Sequence, residues 1–280
     1  MLPSEALDDS ADLRDQLAAN SIIDPRTVPV RFSALKNIAR SPAHYHHAVQ
    51  QADRWAGTAS MRIGSGGHAM LMGQPVVQYT GAVRRGKAWD AFRAANRDAT
   101  ILSGKEWDTA HAISQAVKAD PLAARLLLAD NMTYERTIHW DYQGRACRST
   151  PDARSAYTLI DLKTTKCADP GRFVRDAMWM GYHAQLAFYG MALEAAGGMK
   201  PRDSYIIAVE NKPPHPVVVL KLTERAINMG ERLVRGWMER LKVCEDANEW
   251  PGYVQCVTDF DVPDDDIGLT FGDDDEEDAP

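Results

Sequence analysis

Apolar positions along the chain follow two rhythms, helical at first and alternating later. Residues 1 to about 28 form a polar leader with weak helical character. In "RFSALKNIARSPAHYHHAVQQ", Ser33 is placed to cap a short helix, and Ser41-Pro42 restarts a second with proline in its first turn. "MRIGSGGHAMLMG" (61–73) predicts a glycine-rich helix that offers Ile63, Met70 and Leu71 to a core. Helices follow over 87–97, 104–119 and 121–129, with Ser103 and Asp120 as caps for the last two.

The period then shortens to two. "MTYERTIHWDYQGRACRSTPDARSAYTLIDLKTT" predicts strands over about 133–140, 145–153 and 157–163, with a hairpin turn at "DYQG". "DPGRFVRDAMWMGYHAQLAFYGMALEAAGG" returns to helix, with a break near Gly181 and a stop at Gly197-Gly198. "DSYIIAVE" and "HPVVVLKL" read as two more strands, and a last amphipathic helix runs from the capping Thr223 to about Val243. No internal repeat is present. The order predicts one α/β (α+β) domain over residues 29–260, between the leader and an acidic tail at 261–280. That tail is too charged to pack and is expected to be disordered.

Charge changes the picture. The 280 residues carry a net charge of −7, which argues at first against a nucleic-acid partner. The tail, however, holds ten acidic residues and no lysine or arginine, and residues 1–30 hold six acids against two arginines. Residues 31–260 therefore carry 30 basic and 23 acidic side chains, a mildly basic body compatible with DNA. No apolar run approaches the roughly 18 residues of a membrane span. The polar N-terminus does not read as a secretory signal, so a cytoplasmic protein without membrane association is expected. Cys147, Cys167, Cys244 and Cys256 form no CxxC pair and read as reduced thiols. Trp55, Trp89, Trp107 and Trp179 read as core or interface residues rather than base-stacking platforms.

The chemistry concentrates in "STPDARSAYTLIDLKTT" (149–165). On a strand, Asp161 and Lys163 share a face with Leu159, while Ile160 and Leu162 point the other way. Antiparallel pairing with the preceding strand would set Asp152 beside Asp161. Two close carboxylates favour a divalent cation, and hard oxygen ligands suit Mg²⁺ or Mn²⁺. Spacing alone favours the other reading, a salt bridge between Asp161 and Lys163 on a wet edge strand. Glu135 is placed to alternate onto one strand face with Thr133, Thr137 and His139, as an auxiliary ligand or a solvated carboxylate. Arg84, Arg85 and Lys87, with Arg93 and Arg97, make the densest basic patch, open to phosphate or simply solvated.

Pro151-Asp152 followed by Asp161-Leu162-Lys163 resembles the PD-(D/E)xK nuclease signature. Gly64 and His68 resemble its GxxxH motif, and Gln185 and Tyr189 its QxxxY motif. "FSALKNIARSPAHY", "RRGKAWDAF", "TYERTIHW", "ADPGRF" and "AVENKPPHPV" resemble the RecE-type exonucleases, the exodeoxyribonuclease VIII group and its phage relatives. The likeness spans residues 31 to about 242. It implies the PD-(D/E)xK fold, a central mixed β-sheet flanked by helices. It further implies His68, Asp152, Asp161 and the Leu162 carbonyl as ligands of one or two Mg²⁺ or Mn²⁺ ions. Lys163 would be the catalytic lysine, with Gln185 and Tyr189 orienting it or the DNA phosphate. One departure stands out: the family's arginine before "PD" is Thr150 here, with Arg148 two residues earlier.

The implied activity is 5′-to-3′ digestion of one strand of linear duplex DNA, leaving a 3′ overhang for a single-strand annealing recombinase. A ring-like homo-oligomer is expected with it. The rival readings are a nuclease of the same fold but different action, either an endonuclease or an iron–sulfur exonuclease, whose late cysteine cluster this chain lacks, and an inactive DNA-end-binding protein.

Overall fold

The computed structural model describes residues 23–51, 57–254 and 256–259. Most of the leader, the acidic tail and Trp55 lie outside the described residues. The chain first makes α1 (Phe32–Leu35), a 3₁₀ turn over Lys36–Ala39, and α2 (Pro42–Gln51) with Pro42 opening it. Arg31 precedes α1 without a side-chain cap, so Ser33 lies inside the helix rather than capping it. The glycine-rich α3 spans Ala59–Leu71, capped by Thr58. Short strands β1 (Val76–Gln78) and β2 (Thr100–Leu102) pair in parallel around α4 (Lys87–Ala95). The sequence pattern does not announce these three-residue strands, which are too short to show a period.

Helix α5 (Gly104–Ala119) starts on a full capping box between Ser103 and Glu106, and Asp120 caps α6 (Pro121–Leu127). The strands that follow are shorter than their pattern suggests. The expected strand 133–140 is two, β3 (Thr133–Tyr134) and β4 (Ile138–Tyr142), separated at Glu135, whose φ is 45°. The expected strand 145–153 is likewise two, β5 (Arg145–Ser149) and β6 (Ala153–Arg154), split by Pro151, which has no N–H for a ladder. β4 and β5 form the hairpin over "DYQG", apart from the main sheet.

Strand β7 (Thr158–Thr165) is followed by α7 (Pro170–Trp179), Gly181 in the left-handed region, and α8 (Tyr182–Ala195). Then come β8 (Asp203–Glu210), β9 (Val217–Lys221) and the long α9 (Glu224–Ala247), capped by Thr223. The five-stranded sheet runs β3-β6-β7-β8-β9; only β7 and β8 are parallel, so the sheet is mixed. Helices α7 and α8 supply the crossover that a parallel neighbour requires.

Helices cover both faces of the sheet. Leu159, Ile206 and Ala208 face a cluster that includes Phe173, Leu186, Phe188 and Val234 of α7, α8 and α9. Ile160, Leu162, Ile207 and Val209 face Ile113, Val117 and Leu127 of α5 and α6. β7 is thus buried on both sides, as parallel-sheet strands are. Chain entry into the site is fixed by Val30, whose N–H and C=O bond to Ala146 and Arg148 on β5 at 2.9 and 2.8 Å. Among the described residues, no helix is long and apolar enough to cross a membrane.

Helices α8 and α9 approach closely at Gly230, where a Cβ would stand 2.4 Å from the His183 carbonyl oxygen. Backbone cannot yield as a flexible side chain does, so Gly230→Ala should destabilise the fold by about 1–3 kcal/mol, the usual cost of overpacking. Urea denaturation checks this; an unchanged midpoint would mean that the two helices separate freely.

Candidate active site

The hairpin between β6 and β7 turns at Ser155, whose N–H donates to the Thr158 carbonyl at 2.8 Å. Its register pairs Ala153 with Ile160; continued by one residue, it sets Asp152 opposite Asp161. Asp152 Oδ2 accepts the Leu162 N–H at 2.7 Å, which locks the loop to the strand. The two carboxylates that the sequence spacing suggests as neighbours are brought together.

Asp161 is 1% exposed, so the wet-edge alternative does not hold. Lys163 Nζ lies 2.6 Å from Asp161 Oδ2, yet neither carboxylate oxygen accepts a well-aligned hydrogen bond. Burial pushes Asp161 up to about 6, against the pull of the Lys163 charge. Burial likewise raises Asp152 to about 6, with Lys163 and the Leu162 N–H opposing it. Lys163 moves upward as well: burial works against its charge, but the carboxylates of Asp161 and Asp152 outweigh it, and it stays protonated.

Three side chains hold that ammonium. Nζ donates to Gln185 Oε1 at 3.1 Å, and Gln185 Nε2 donates in turn to the Tyr189 hydroxyl at 3.0 Å. Gln185 and Tyr189 are four residues apart on α8, hence on one helix face. Tyr182, one turn before Gln185, lays its ring under the ammonium at 4.6 Å from the centroid. Sequence reading misses Tyr182, although its place three residues before Gln185 puts it on the same face.

His68 arrives from the opposite layer. A Cβ on Gly64 would sit 2.9 Å from Thr164 Oγ1, and one on Gly66 would sit 2.5 Å from Leu102 Cδ1. The glycines therefore let α3 lie against β7 and β2. His68, one turn after Gly64, reaches Asp152 with Nδ1 at 3.6 Å from Oδ2. Burial and then the Lys163 charge push the imidazole down to about 4, so it is neutral at pH 7 and keeps a lone pair.

Among the described residues, no three His, Cys, Asp or Glu side chains converge as a metal-holding group. The donors at hand are two carboxylates, a neutral imidazole and the backbone of Leu162. The buried oxygens of Asp161, Oδ1 without a hydrogen bond and Oδ2 met by the Lys163 ammonium, are what a hard divalent cation would satisfy, so the residues fit one chemically.

Glu135 is exposed and sits at the break between β3 and β4, not on a continuous strand face with Thr133, Thr137 and His139. Its backbone N–H donates to the Asp152 carbonyl at 3.0 Å, and its charge adds to the upward push on Asp152. Arg84 is occupied elsewhere: it pairs with the buried Glu106, bonds the Ile101 carbonyl and lies over Trp89. Arg85 and Lys87 are exposed, beside α4 rather than in the cavity.

A cavity of about 570 Å³ opens over the site, lined by His68, Leu162, Lys163, Tyr182, Gln185 and Tyr189. Its wall also carries Arg31, Lys36 and Arg148, none of them ion-paired among the described residues. Burial, then the charge of Lys163, lowers the Lys36 pKa. Thr150 bonds Thr137 at 3.1 Å across the strand break, and Arg148 on β5 lines the cavity with it. A guanidinium thus reaches the cavity from two residues before Thr150. Lys36 and Arg31 escape sequence reading because long-range contacts bring them here: the Val30–β5 bridge and the packing of Phe32 on Phe188 and Trp237.

Residues 31–258 match the family described as "PDDEXK-like domain of unknown function (DUF3799)". Among solved structures, the chain is similar to one described as a "Putative exonuclease" from Eubacterium rectale. The TM-score is 0.57 at 15% identity, covering 96% of this chain and 100% of that one. At that identity the likeness shows the fold alone, a mixed sheet between helices. A second structure, of SSO0001, is 13% identical over 71% of this chain and 100% of its own; its TM-score of 0.27 carries no argument. No curated protein matches the chain.

The raised Asp161 pKa fixes the sign of a pH effect. Between about 4 and 6 the folded carboxyl keeps a proton that the unfolded one has lost, so this group costs stability as pH rises through that window. Relative to the wild type, metal-free Asp161→Asn should therefore gain stability from pH 4 to 6, by up to about 1.4 kcal/mol per pH unit. Denaturation at several pH values measures the difference; a constant offset would show that Asp161 is ionised throughout.

Proposed function

The chain belongs to the PDDEXK-like DUF3799 family, and from that premise we propose that it is a metal-dependent 5′-to-3′ exonuclease of linear duplex DNA. The observation that carries the reading is the buried Asp161 held against Lys163, whose ammonium lines a cavity walled by cations with no ion-pair partner among the described residues. A phosphodiester is the substrate that this charge arrangement suits: Arg31, Lys36 and Arg148 attract its anionic backbone, while the carboxylates await a cation. The family resemblance supports the finer points, namely polarity, a 3′ overhang passed to a single-strand annealing recombinase, and a ring-like homo-oligomer.

In this reading Asp152, Asp161, His68 and the Leu162 carbonyl hold one or two Mg²⁺ or Mn²⁺ ions. When bound, the metal polarises the phosphate and lowers the pKa of the attacking water. Lys163 acts as a fixed, protonated donor: it neutralises charge that builds on the phosphate oxygens as water adds and the bond to the 3′ oxygen breaks. A lysine held protonated is a poor general base, which narrows its part to electrostatics and positioning. Gln185, anchored by Tyr189, sets the ammonium's direction, and the Tyr182 ring screens its underside from water. The products are 5′-phosphorylated nucleotides.

Linear duplex DNA labelled separately at its 5′ and 3′ ends, incubated with Mg²⁺ or EDTA, tests the proposal. Early metal-dependent release of the 5′ label is expected, and Lys163→Ala should lower kcat by about 10²–10³-fold, the usual cost of one transition-state donor. Cutting of closed circles would make the protein an endonuclease. Binding without hydrolysis under any metal would make it an end-binding protein. Arg148→Ala should raise KM and flatten the salt dependence of DNA binding by about one unit of slope, if Arg148 contacts a phosphate. An unaltered slope would remove it from the DNA path.

A further inference from the structure

Helix α7 turns its buried face, Phe173 and Ala177, into the core and packs Phe173 near Tyr182, with ring centroids 6.3 Å apart. The opposite face carries Arg172, Arg175 and Trp179, which helical spacing places in one stripe. Trp179 is 86% exposed, so of the two places expected for it, core or interface, the core is excluded. An indole this open covers nothing in the fold; left in water, it forfeits the burial that makes tryptophan favourable. Arg172 and Arg175 are exposed, and neither is ion-paired among the described residues. The helix itself ends at the active-site cavity: Met180, the residue after Trp179 in the chain, and Tyr182 both line it.

We propose that this stripe is a single-strand docking surface, with Trp179 stacking on an unpaired base while Arg172 and Arg175 hold the flanking phosphates. The proposal rests on the nuclease reading for its substrate. Two observations favour nucleic acid over a protein partner. The cations on the same helix face as the indole complement a polyanion, and the helix that carries them leads into the cation-walled cavity at Met180. Base stacking tolerates any sequence, as an enzyme moving along arbitrary DNA requires. The surface would hold the strand as it enters or leaves the cavity, once pairing at the duplex end is lost.

The test is anisotropy of a fluorescein-labelled thymidine oligonucleotide, bound in EDTA so that no hydrolysis intervenes, beside an abasic oligomer of equal length. Trp179→Ala should weaken binding of the thymidine oligomer roughly tenfold and leave the abasic oligomer unchanged. Trp179→Phe, which keeps an aromatic face, should stay within about threefold of the wild type. Arg175→Ala should weaken both oligomers alike and reduce the salt slope by about one. Equal affinity of Trp179→Ala and wild type for thymidine would overturn the proposal, as would an equal loss for both oligomers. A change in molar mass on Trp179→Ala with DNA affinity intact would assign the indole to a protein contact and overturn it too. The nuclease reading fails separately. A wild type that shows the base-dependent difference yet never hydrolyses end-labelled duplex ends the exonuclease proposal and leaves the docking surface in place.

Discussion

One carboxylate, buried between two layers of helices, sets the terms for much of this molecule. Asp161 lies on a strand whose Leu159, Ile160 and Leu162 are each 0–1% exposed. A charge taken that far from water costs several kcal/mol unless something compensates it, and among the described residues Lys163, two residues on, is the only cation in contact. Such a pair is weak as a stabilising device, since two well-packed apolar residues would do at least as well. Its presence on a strand otherwise built for burial is better understood as stability given up for chemistry.

The surroundings follow from that pair. Lys163 must be held without being neutralised, and α8 does so with an amide, a phenol and an aromatic face rather than with a second carboxylate. Asp161 must meet a further anion from just before β6, so the hairpin is short and its register is closed by the Leu162 N–H on Asp152. His68 must reach the same point from the other side, which requires a helix able to touch a strand, hence the glycines of α3. The desolvation that raises the carboxyl pKa values also lowers that of His68. One dry environment thus discourages charge on all three groups until a cation enters.

The broken strands serve the same end. Had residues 133–140 and 145–153 run on as regular strands, the hairpin β4–β5 would lie in the main sheet. Instead the chain leaves the sheet at Glu135 and rejoins it after Pro151. The displaced hairpin gives Val30 an edge to bind, and with it the segment bearing Arg31 and Lys36 swings over the cavity. The positive wall is therefore a consequence of a topological detour. This suits a polyanionic substrate, because these cations line the cavity and none is ion-paired among the described residues.

Much of this was legible in the chain. Helix caps at Ser103, Asp120 and Thr223 are local chemistry, and each caps its helix in the structure. The meeting of Asp152 with Asp161, and of Gln185 with Tyr189, followed from strand and helix periods over a few residues. By itself the sequence determined the element types, the two-residue alternation on β7 and the residues able to bind metal or phosphate. Local spacing is enough for these because it acts within one element. Tertiary structure alone decided that Asp161 is dry, that Arg84 is spent on Glu106 and that Lys36 and Arg148 share the cavity. It also decided that Trp179 faces water. Burial and ion pairing depend on which distant elements cover a residue, and those long-range contacts leave no periodic trace in the order of amino acids.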